Sequence, residues 1–398
     1  MADAGERGVT RFLGYGRQSI EQEDIDAVVA ALKGDFLTQG PLVPALEKAL
    51  AEACGAKYAV AVSSATAGLH IACLAVGMKS GDVGVTQPIT FIASANCFAY
   101  CGAEIELADV DPDTMMMAPA ALSEALKRRP EINVVVPVSF GGLSSDGAKL
   151  RAVAGPDRVI IEDASHSFGA SEASGVRVGG GSWADMTVFS FHPVKPVTTG
   201  EGGAVLTNDK ALYEKLLLLR SHGIERDADK LTVGEVDDPW WYEQQSLGFN
   251  YRLTDIQAAL GVSQVGRIDQ FMARRRAVAA QYDAAFASLN HIRLVQSDPA
   301  QRARSGHHLY ILRIDFKALG TTRREVMARL KERQIGTQVH YIPVYKQPYH
   351  RPRFPDGEAR FPVSEAFYDE ALTIPCFPSM TDAEVAYVAE TIKSVLKG

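Results

Sequence analysis

Apolar positions in the first half of the chain follow a regular alternation of two patterns. Short runs of β-branched and other apolar residues indicate strands, and the amphipathic segments between them, such as Thr66–Val76 and Ala118–Arg128, have the spacing of crossover helices. This order of elements is typical of a doubly wound α/β domain built on a largely parallel sheet. The predicted strands are Tyr58–Val62, Val83–Thr86, Glu104–Ala108, Ile132–Val138, Val159–Glu162, Met186–Phe191 and Gly203–Thr207.

The second half of the chain has a different pattern. We place a domain boundary within it, which divides the chain into a large domain over residues 1–265 and a smaller C-terminal α+β domain over residues 266–398. The boundary lies inside a long predicted helix, Thr254–Ala287. The elements predicted after it are a strand at His308–Asp315, a helix at Thr322–Arg333 and a closing helix from Thr381.

Two local signals add detail to these predictions. Ser19 and Gln22 have the spacing of a capping box that opens a helix through Lys33, with Gly34 as its stop. The segment Gly223–Gln245 has little periodicity, so we expect a long and partly mobile loop there. This loop contains Asp237, Asp238, Pro239, Trp240 and Trp241.

The composition is that of a globular protein, because 46% of the 398 residues are hydrophobic and 22% are charged. Lys and Arg number 41 against 48 Asp and Glu, a net charge of −7, so no basic field attracts nucleic acid or anionic lipid. No stretch reaches the ~18 consecutive apolar residues of a membrane helix. The first residues also lack the apolar core of a signal peptide. We therefore expect a cytoplasmic protein without nucleic-acid or membrane partners.

Cysteine and histidine usage predicts neither disulfides nor metals. The five cysteines form no CxxC motif and are expected to be reduced thiols. The adjacent pair His307 and His308 has no Cys or carboxylate nearby at ligand spacing. No metal site is therefore predicted.

The strongest chemical signal is an acid and a lysine at the ends of two predicted strands. The apolar run Val159–Ile161 leads into Asp163, and 32 residues later another strand is followed by Lys195, which two prolines flank. Residues that follow the strands of an open α/β sheet lie at its carboxyl edge, where such folds build their sites. We therefore expect the carboxylate and the amine to lie close together.

A lysine and an aspartate in this arrangement are the smallest set of side chains that a pyridoxal phosphate site requires. The lysine amine attaches to the cofactor aldehyde, while the carboxylate keeps the pyridine nitrogen protonated so that the ring accepts electrons from a substrate carbanion. Each residue alone also fits a structural role, Lys195 as a solvated surface lysine and Asp163 as a helix cap.

Two further segments supply other parts of such a site. Ser64, Ala65 and Thr66 lie in a small-residue turn between a strand and a helix start, where free N–H groups and hydroxyls bind phosphate. The same turn also fits an ordinary N-cap. Phe91 opens the helix after the next strand and either stacks on a ring or belongs to the core.

With these residues in place, the chain resembles the sugar aminotransferases of the DegT/DnrJ/EryC/StrS family from Gly14 to the closing helix. Two features depart from the family pattern: Ala65 stands where many relatives have Gly, and the Trp240-Trp241 stretch is particular to this chain. The motifs that carry the resemblance are Leu37-Thr38-Gln39-Gly40-Pro41, Ser64-Ala65-Thr66, Glu162-Asp163-Ala164-Ser165-His166, Phe189–Gly203, Arg220-Ser221-His222-Gly223 and Leu247–Ala259.

The resemblance implies a fold type I transferase with a mostly parallel seven-stranded sheet, acting as a homodimer with shared active sites and binding pyridoxal 5'-phosphate. It implies that Lys195 carries the cofactor and that Asp163 meets the pyridine nitrogen. The other implied contacts are Phe91 on the ring, His166 near the phenolic oxygen, Ser64, Ala65, Thr66 and Ser190 at the phosphate, and Asn250 reaching the phosphate from the second subunit.

Within the family, Phe191–Gly203 and Val339–Tyr345 most resemble the C4 aminotransferases of the pseudaminic-acid pathway. Those enzymes use L-glutamate to convert a UDP-linked 4-keto-6-deoxy-N-acetylhexosamine into its 4-amino sugar. By the same resemblance, the residues that face the sugar nucleotide are Tyr15, Asp35, Phe36, Leu37, Thr38, His340, Tyr341, Ile342 and Pro343.

Other functions remain open at this point. An aminotransferase acting at C3 or C4 of a dTDP- or GDP-linked keto-sugar fits the same residues, and so does a catalytically silent paralogue that only binds sugar nucleotides. A cofactor-dependent sugar dehydratase of the family carries His at the lysine position, so Lys195 disfavours it. A dinucleotide-dependent oxidoreductase is disfavoured because no GxGxxG follows the first strand.

Overall fold

The computed structural model describes residues 11–233 and 238–397. Asp237 of the aperiodic loop and the first ten residues, which entered the prediction of the compartment, lie outside the described residues. The helices are α1 Gln22–Lys33, α2 Leu42–Cys54, α3 Ala65–Ala75, α4 Ala93–Tyr100, α5 Pro119–Arg128, α6 Gly147–Ala154, α7 Lys210–Arg220, α8 Asp255–Val265, α9 Ile268–Phe286, α10 Pro299–Arg304, α11 Arg323–Glu332, α12 Gly357–Arg360, α13 Pro362–Glu370 and α14 Asp382–Lys397.

A seven-stranded sheet forms the centre of the first half of the chain. Its strands are β1 Tyr58–Val62, β2 Val83–Thr86, β3 Glu104–Leu107, β4 Ile132–Val136, β5 Val159–Asp163, β6 Met186–Ser190 and β7 Gly203–Thr207. They are ordered β1-β7-β6-β5-β4-β2-β3, and only β7 runs antiparallel to its neighbours in this sheet. The predicted mostly parallel sheet is therefore confirmed, with strand ends that differ from the predicted ones by two residues or fewer.

Helices cover both faces of this sheet. Alternate residues of a strand point to opposite faces, and both sets are buried here. Val60 and Val62 of β1 pack with α3 and α4, whereas Ala59 and Ala61 pack with α2 and α8. Burial on both faces explains why the strands form continuous apolar runs in the sequence.

The second half of the chain builds a smaller antiparallel sheet of β10 Ile292–Leu294, β11 Tyr310–Ile314 and β12 Ala371–Ile374, with β11 in the middle. This sheet shares its core with α9, α11 and α14. The C-terminal part therefore has the predicted α+β architecture, while the boundary between residues 265 and 266 stays a prediction. No helix in the described parts of the chain is long and apolar enough to cross a membrane.

Two local predictions were wrong. The capping box of α1 is made by Glu21 and Asp24 rather than by Ser19 and Gln22. The helix predicted over residues 254–287 is two helices, because Arg267 leaves helical geometry and turns its guanidinium onto the buried Asp24 carboxylate. A break this short leaves the apolar period almost unchanged, so the sequence pattern does not reveal it.

The aperiodic loop also contains more order than predicted. Its two ends pair as a short antiparallel ladder of β8 Ile224–Glu225 and β9 Glu243–Gln244. The Glu243 carboxylate accepts hydrogen bonds from the backbone N–H groups of Thr232 and Val233, at 2.7 and 2.9 Å. These contacts link distant positions of the loop and produce no period in the sequence.

Candidate active site

A cavity of about 600 Å³ lies at the ends of β1, β5 and β6. These strands run parallel, so the residues that follow them meet at one edge of the sheet. Tyr15, ahead of α1, and a segment between β11 and β12 that includes His340 and Tyr341 close the other side of the cavity. The predicted site residues that line it are Tyr15, Ser64, Ala65, Thr66, Phe91, Asp163, His166, Ser190, Lys195, His340, Tyr341 and Ile342.

The Asp163 carboxylate is buried and fixed in orientation at the end of β5. Its Oδ2 accepts a hydrogen bond from the Ser94 hydroxyl at 2.6 Å, and its Oδ1 accepts from the Ser165 hydroxyl at 2.6 Å and the Ser165 N–H at 3.1 Å. The Thr90 hydroxyl contacts Ser94 Oγ at 2.7 Å. Sequence reasoning missed all three hydroxyls; the one available signal was that Ser94 follows Phe91 by one helical turn.

Lys195 lies in the turn after β6, where its N–H donates to the His192 carbonyl at 2.9 Å. Burial lowers the pKa of the amine to about 8, and the nearby Asp163 charge partly opposes this shift. At neutral pH this amine is therefore closer to its neutral, nucleophilic form than an exposed lysine is.

The turn between β1 and α3 forms an anion cradle. Ser64 caps α3 by accepting a hydrogen bond from the Ala67 N–H at 3.1 Å, which leaves the N–H groups of Ala65 and Thr66 without helical partners. Gly203 of β7 packs so closely on this turn that a Cβ there would lie 2.6 Å from the Ala65 nitrogen. Ser190 brings a further hydroxyl to the same cavity. These donors suit a phosphate group.

His166 is held as a neutral ring. The Gly141 N–H donates to Nδ1 at 3.3 Å, so the ring proton lies on Nε2, which faces the Tyr341 hydroxyl at 3.1 Å. Burial, reinforced by the Lys195 charge, lowers the pKa of His166 well below its usual value. Burial also lowers the pKa of His340, whose Nδ1 contacts the Thr373 hydroxyl at 2.9 Å, to about 3.

The remaining predicted residues do not line this cavity. Pro343 is buried behind it, while the others lie on an exposed surface near the start of α8. Thr38 forms a β-bridge with Thr254, and Asn250, four residues earlier, forms one with Ser221. The residues that this surface carries are Asp35, Phe36, Leu37, Thr38 and Asn250.

The side chains of the cavity fit pyridoxal phosphate. They provide an amine with a lowered pKa, a fixed carboxylate and an anion cradle, in a volume suited to a small cofactor and its substrate. The Phe91 ring is 56% exposed on the cavity wall, as expected of an apolar surface that a planar ligand covers. Within residues 11–233 and 238–397, no cluster of His, Cys, Asp or Glu side chains has the arrangement of a metal site.

Comparison with known proteins gives a consistent result. Residues 18–393 match the model of the DegT/DnrJ/EryC1/StrS aminotransferase family. The chain is 38% identical to the spore coat polysaccharide biosynthesis protein SpsC of Bacillus subtilis, covering 97% of this chain and 98% of SpsC. It is 36% identical to the UDP-4-amino-4,6-dideoxy-N-acetyl-beta-L-altrosamine transaminase of Campylobacter jejuni, covering 96% and 97% of the two chains.

Among solved structures, Helicobacter pylori PseC, an aminotransferase involved in the biosynthesis of pseudaminic acid, superposes with a TM-score of 0.88 at 29% identity. The superposition covers 97% of this chain and all of PseC. The predicted fold class and cofactor are thereby confirmed. The chain belongs to the DegT/DnrJ/EryC1/StrS family and is a pyridoxal phosphate-dependent sugar aminotransferase of fold type I.

Proposed function

We propose that this enzyme transfers the amino group of L-glutamate to C4 of a UDP-linked 4-keto-6-deoxy-N-acetylhexosamine, in the cytoplasmic biosynthesis of a pseudaminic-acid-type sugar. One observation supports the reaction type: the Lys195 amine, whose pKa is lowered, lies in the same cavity as the fixed Asp163 carboxylate. The substrate is supported by the likeness to the Campylobacter jejuni transaminase and to PseC, whose names refer to these sugars.

Bound pyridoxal phosphate supplies an electron sink for the carbanion that forms when a substrate carbon loses its proton. In this proposal the cradle at Ser64–Thr66, with Ser190, holds the phosphate. Asp163 would face the pyridine nitrogen, and Phe91 would cover one side of the ring. The three hydrogen bonds to Asp163 hold its carboxylate in place. The protein therefore has no need to reorganise this group during the reaction.

Lys195 has a second role as the proton carrier. With the cofactor held in the cavity, a free Lys195 amine would be the group that takes the proton from the α-carbon of glutamate and delivers it again. A pKa of about 8 suits this work, because a general base is most effective when its pKa lies near the working pH. His166, whose Nε2–H faces the Tyr341 hydroxyl at the cavity, would offer a neutral donor to the phenolic oxygen of the cofactor.

We also propose that the enzyme is a homodimer in which each subunit completes the other's site. The surface with Asn250 and residues 35–38 lies outside the cavity of its own chain, although the resemblance assigns these residues to the site. Phe36 and Leu37 on this surface are 57% and 48% exposed. Apolar exposure of this kind favours contact with a second copy. Helix α1 adds an exposed stripe of Ile25, Val29 and Leu32.

Mixed dimers test this arrangement. Lys195→Ala and Asn250→Ala chains, each poorly active, are unfolded together and refolded. If Asn250 serves the partner subunit, every mixed dimer has one intact site, and equal mixing restores about a quarter of wild-type activity. Mixing Lys195→Ala with Asp163→Asn is the matched control, because these lesions leave no site intact. Absence of recovery in confirmed Lys195→Ala and Asn250→Ala mixed dimers would place Asn250 in its own chain's site.

Substrate discrimination is tested by turnover with glutamate and either the UDP-linked N-acetylhexosamine or its dTDP-linked analogue. We expect the UDP sugar to react at least about 100-fold faster, because the dTDP analogue lacks the N-acetyl group and the ribose 2'-hydroxyl and leaves the polar partners of these two groups unpaired. Product mass and proton couplings report the position of the new amine. Faster reaction of the dTDP sugar, or an amine at C3, would refute this substrate while leaving the aminotransferase activity untouched.

A further inference from the structure

His307 and His308 are adjacent and both buried, with 6% and 3% exposure, yet their rings have different surroundings. The His307 ring contacts the Arg302 carbonyl at 3.0 Å through Nε2. The backbone of His307 has a positive φ of 42°, so the chain turns between the two residues. The His308 ring packs against the ring of His166, with 4.6 Å between the centroids.

Packing and backbone contacts hold the His308 ring in place. Its Nδ1 is buried and has no hydrogen-bond partner in the described part of the chain. Behind the ring, the fully buried Arg275 guanidinium donates to the carbonyls of His308 at 3.4 Å and Cys376 at 2.7 Å. The position of His308 is therefore set by its backbone, and its ring acts on neighbours through contact.

The loop at Gly141 connects His308 to His166. The Gly141 carbonyl accepts a hydrogen bond from the Leu309 N–H at 3.1 Å, and the Gly141 N–H donates to His166 Nδ1 at 3.3 Å. A donor distance of 3.3 Å is long for an N–H group, so this bond is a weak restraint on the ring. The Tyr341 hydroxyl, 3.1 Å from Nε2, restrains one edge of the same ring, and the contact with His308 restrains its face.

We propose that His308 is a positioning residue for His166, its ring holding the His166 ring by packing so that Nε2–H stays directed at the cavity. This inference rests on the proposed function, in which His166 donates to the cofactor. His308 does not line the cavity and acts only through His166. From the sequence, His307 and His308 were considered only as possible metal ligands. The fold shows that the two rings lie in different environments.

Three variants test the proposal. His308→Ala removes the ring, His308→Phe keeps a ring of similar size without nitrogens, and His307→Ala removes an adjacent ring of similar burial that does not touch His166. The first measurement is ¹⁵N NMR of histidine-labelled, cofactor-free protein, with the His166 signals identified by their loss in His166→Gln. The second is the rate and the KM of the half-reaction with glutamate in the loaded enzyme.

We expect wild type, His308→Phe and His307→Ala to show His166 as a single neutral Nε2–H tautomer. In His308→Ala the His166 signals should broaden or shift toward a mixture of tautomers. The rate of the glutamate half-reaction should fall roughly tenfold in His308→Ala, because a misplaced donor loses alignment, with little change in KM. His308→Phe should restore the rate, and His307→Ala should keep it even where it lowers Tm.

Unchanged His166 signals in His308→Ala, or equal changes in His307→Ala, would show that His308 only fills the core. Failure of His308→Phe to restore the signals would show that the ring nitrogens act, and would equally overturn packing as the mechanism. His308→Leu replaces the alanine variant if that variant does not fold. Because the NMR comparison uses cofactor-free protein, it decides the role of His308 even if the loaded wild-type enzyme fails to aminate the proposed sugar.

Discussion

Replacing Lys195 with alanine should lower turnover by at least about 10³-fold, since the variant loses both the attachment point of the cofactor and the proton carrier. Lys195 supplies the one amine among the described residues that line the cavity. No neighbouring side chain can therefore take over the attachment of the cofactor.

The same substitution should leave the cofactor-free protein folded. Burial lowers the pKa of Lys195 to about 8 in the folded protein, below its ordinary value of 10.5. A lowered lysine pKa means that the folded state disfavours the bound proton, so the ammonium destabilises the fold at every pH below about 8 and ceases to do so above about 10.5. Its removal should leave Tm at pH 7 unchanged or raise it.

The measurements are glutamate turnover, Tm and the visible absorbance that borohydride removes when a lysine carries the cofactor. Lys195→Arg is the matched control, because it keeps a positive charge without forming the attachment, and we expect it to be equally inactive. Turnover by Lys195→Ala within tenfold of wild type would exclude this lysine from the chemistry. A wild type that binds no cofactor would instead favour the catalytically silent paralogue.

Asp163→Asn should retain the cofactor but slow both half-reactions by roughly 10²- to 10³-fold, the usual effect of removing a preorganised electrostatic partner. A neutral amide of the same size cannot hold the pyridinium proton, so the ring loses its capacity as an electron sink. Single-turnover rates with glutamate and with the amino sugar measure the two half-reactions separately.

Glu162→Gln is the control for this experiment. Glu162 precedes Asp163 on β5, is equally buried and faces the opposite side of the sheet, where it accepts hydrogen bonds from the hydroxyls of Ser139 and Thr187. Burial raises the pKa of Glu162 to about 7, so an amide imitates a form that is already populated. If Glu162→Gln keeps rates near those of wild type while Asp163→Asn loses rate, the effect is due to the position of the Asp163 carboxylate in the cavity. Equal losses would assign it to the burial of a carboxyl group.

Most of the large sheet could be predicted because its information is local. Strands buried on both faces form apolar runs, and the parallel order brings the residues after β5 and β6 to one edge. That is why Asp163 and Lys195 could be placed in one site from the sequence, whereas Ser190 was assigned to it by the family resemblance. The helix break at Arg267 could not be predicted, because it depends on an ion pair with Asp24, far away in the chain.

The rest of the site depends on contacts between distant segments. Ser94 reaches Asp163 from α4, and its position one helical turn after Phe91 is its only signal in the sequence. Gly141 reaches His166 from the loop after β4, without any spacing that marks a role. Asn250 illustrates a different limit. Its assignment to the site of the second subunit comes from the family resemblance alone, because no pattern in the residues around it distinguishes its own chain from a second copy.

The strand order of the large sheet also determines when the binding site can form during synthesis. β1 leads into the phosphate cradle, and its partner among the described strands of this sheet is β7, the last of the seven to leave the ribosome. A nascent chain that has emerged from the ribosome as far as Ser190 therefore has β2 to β6 available for pairing, while β1 and the cradle have no partner strand in this sheet yet. Only when Gly203–Thr207 inserts between β1 and β6 does the cradle come beside Asp163 and Lys195. Capture of the cofactor is thus a late event, after translation of the whole sheet.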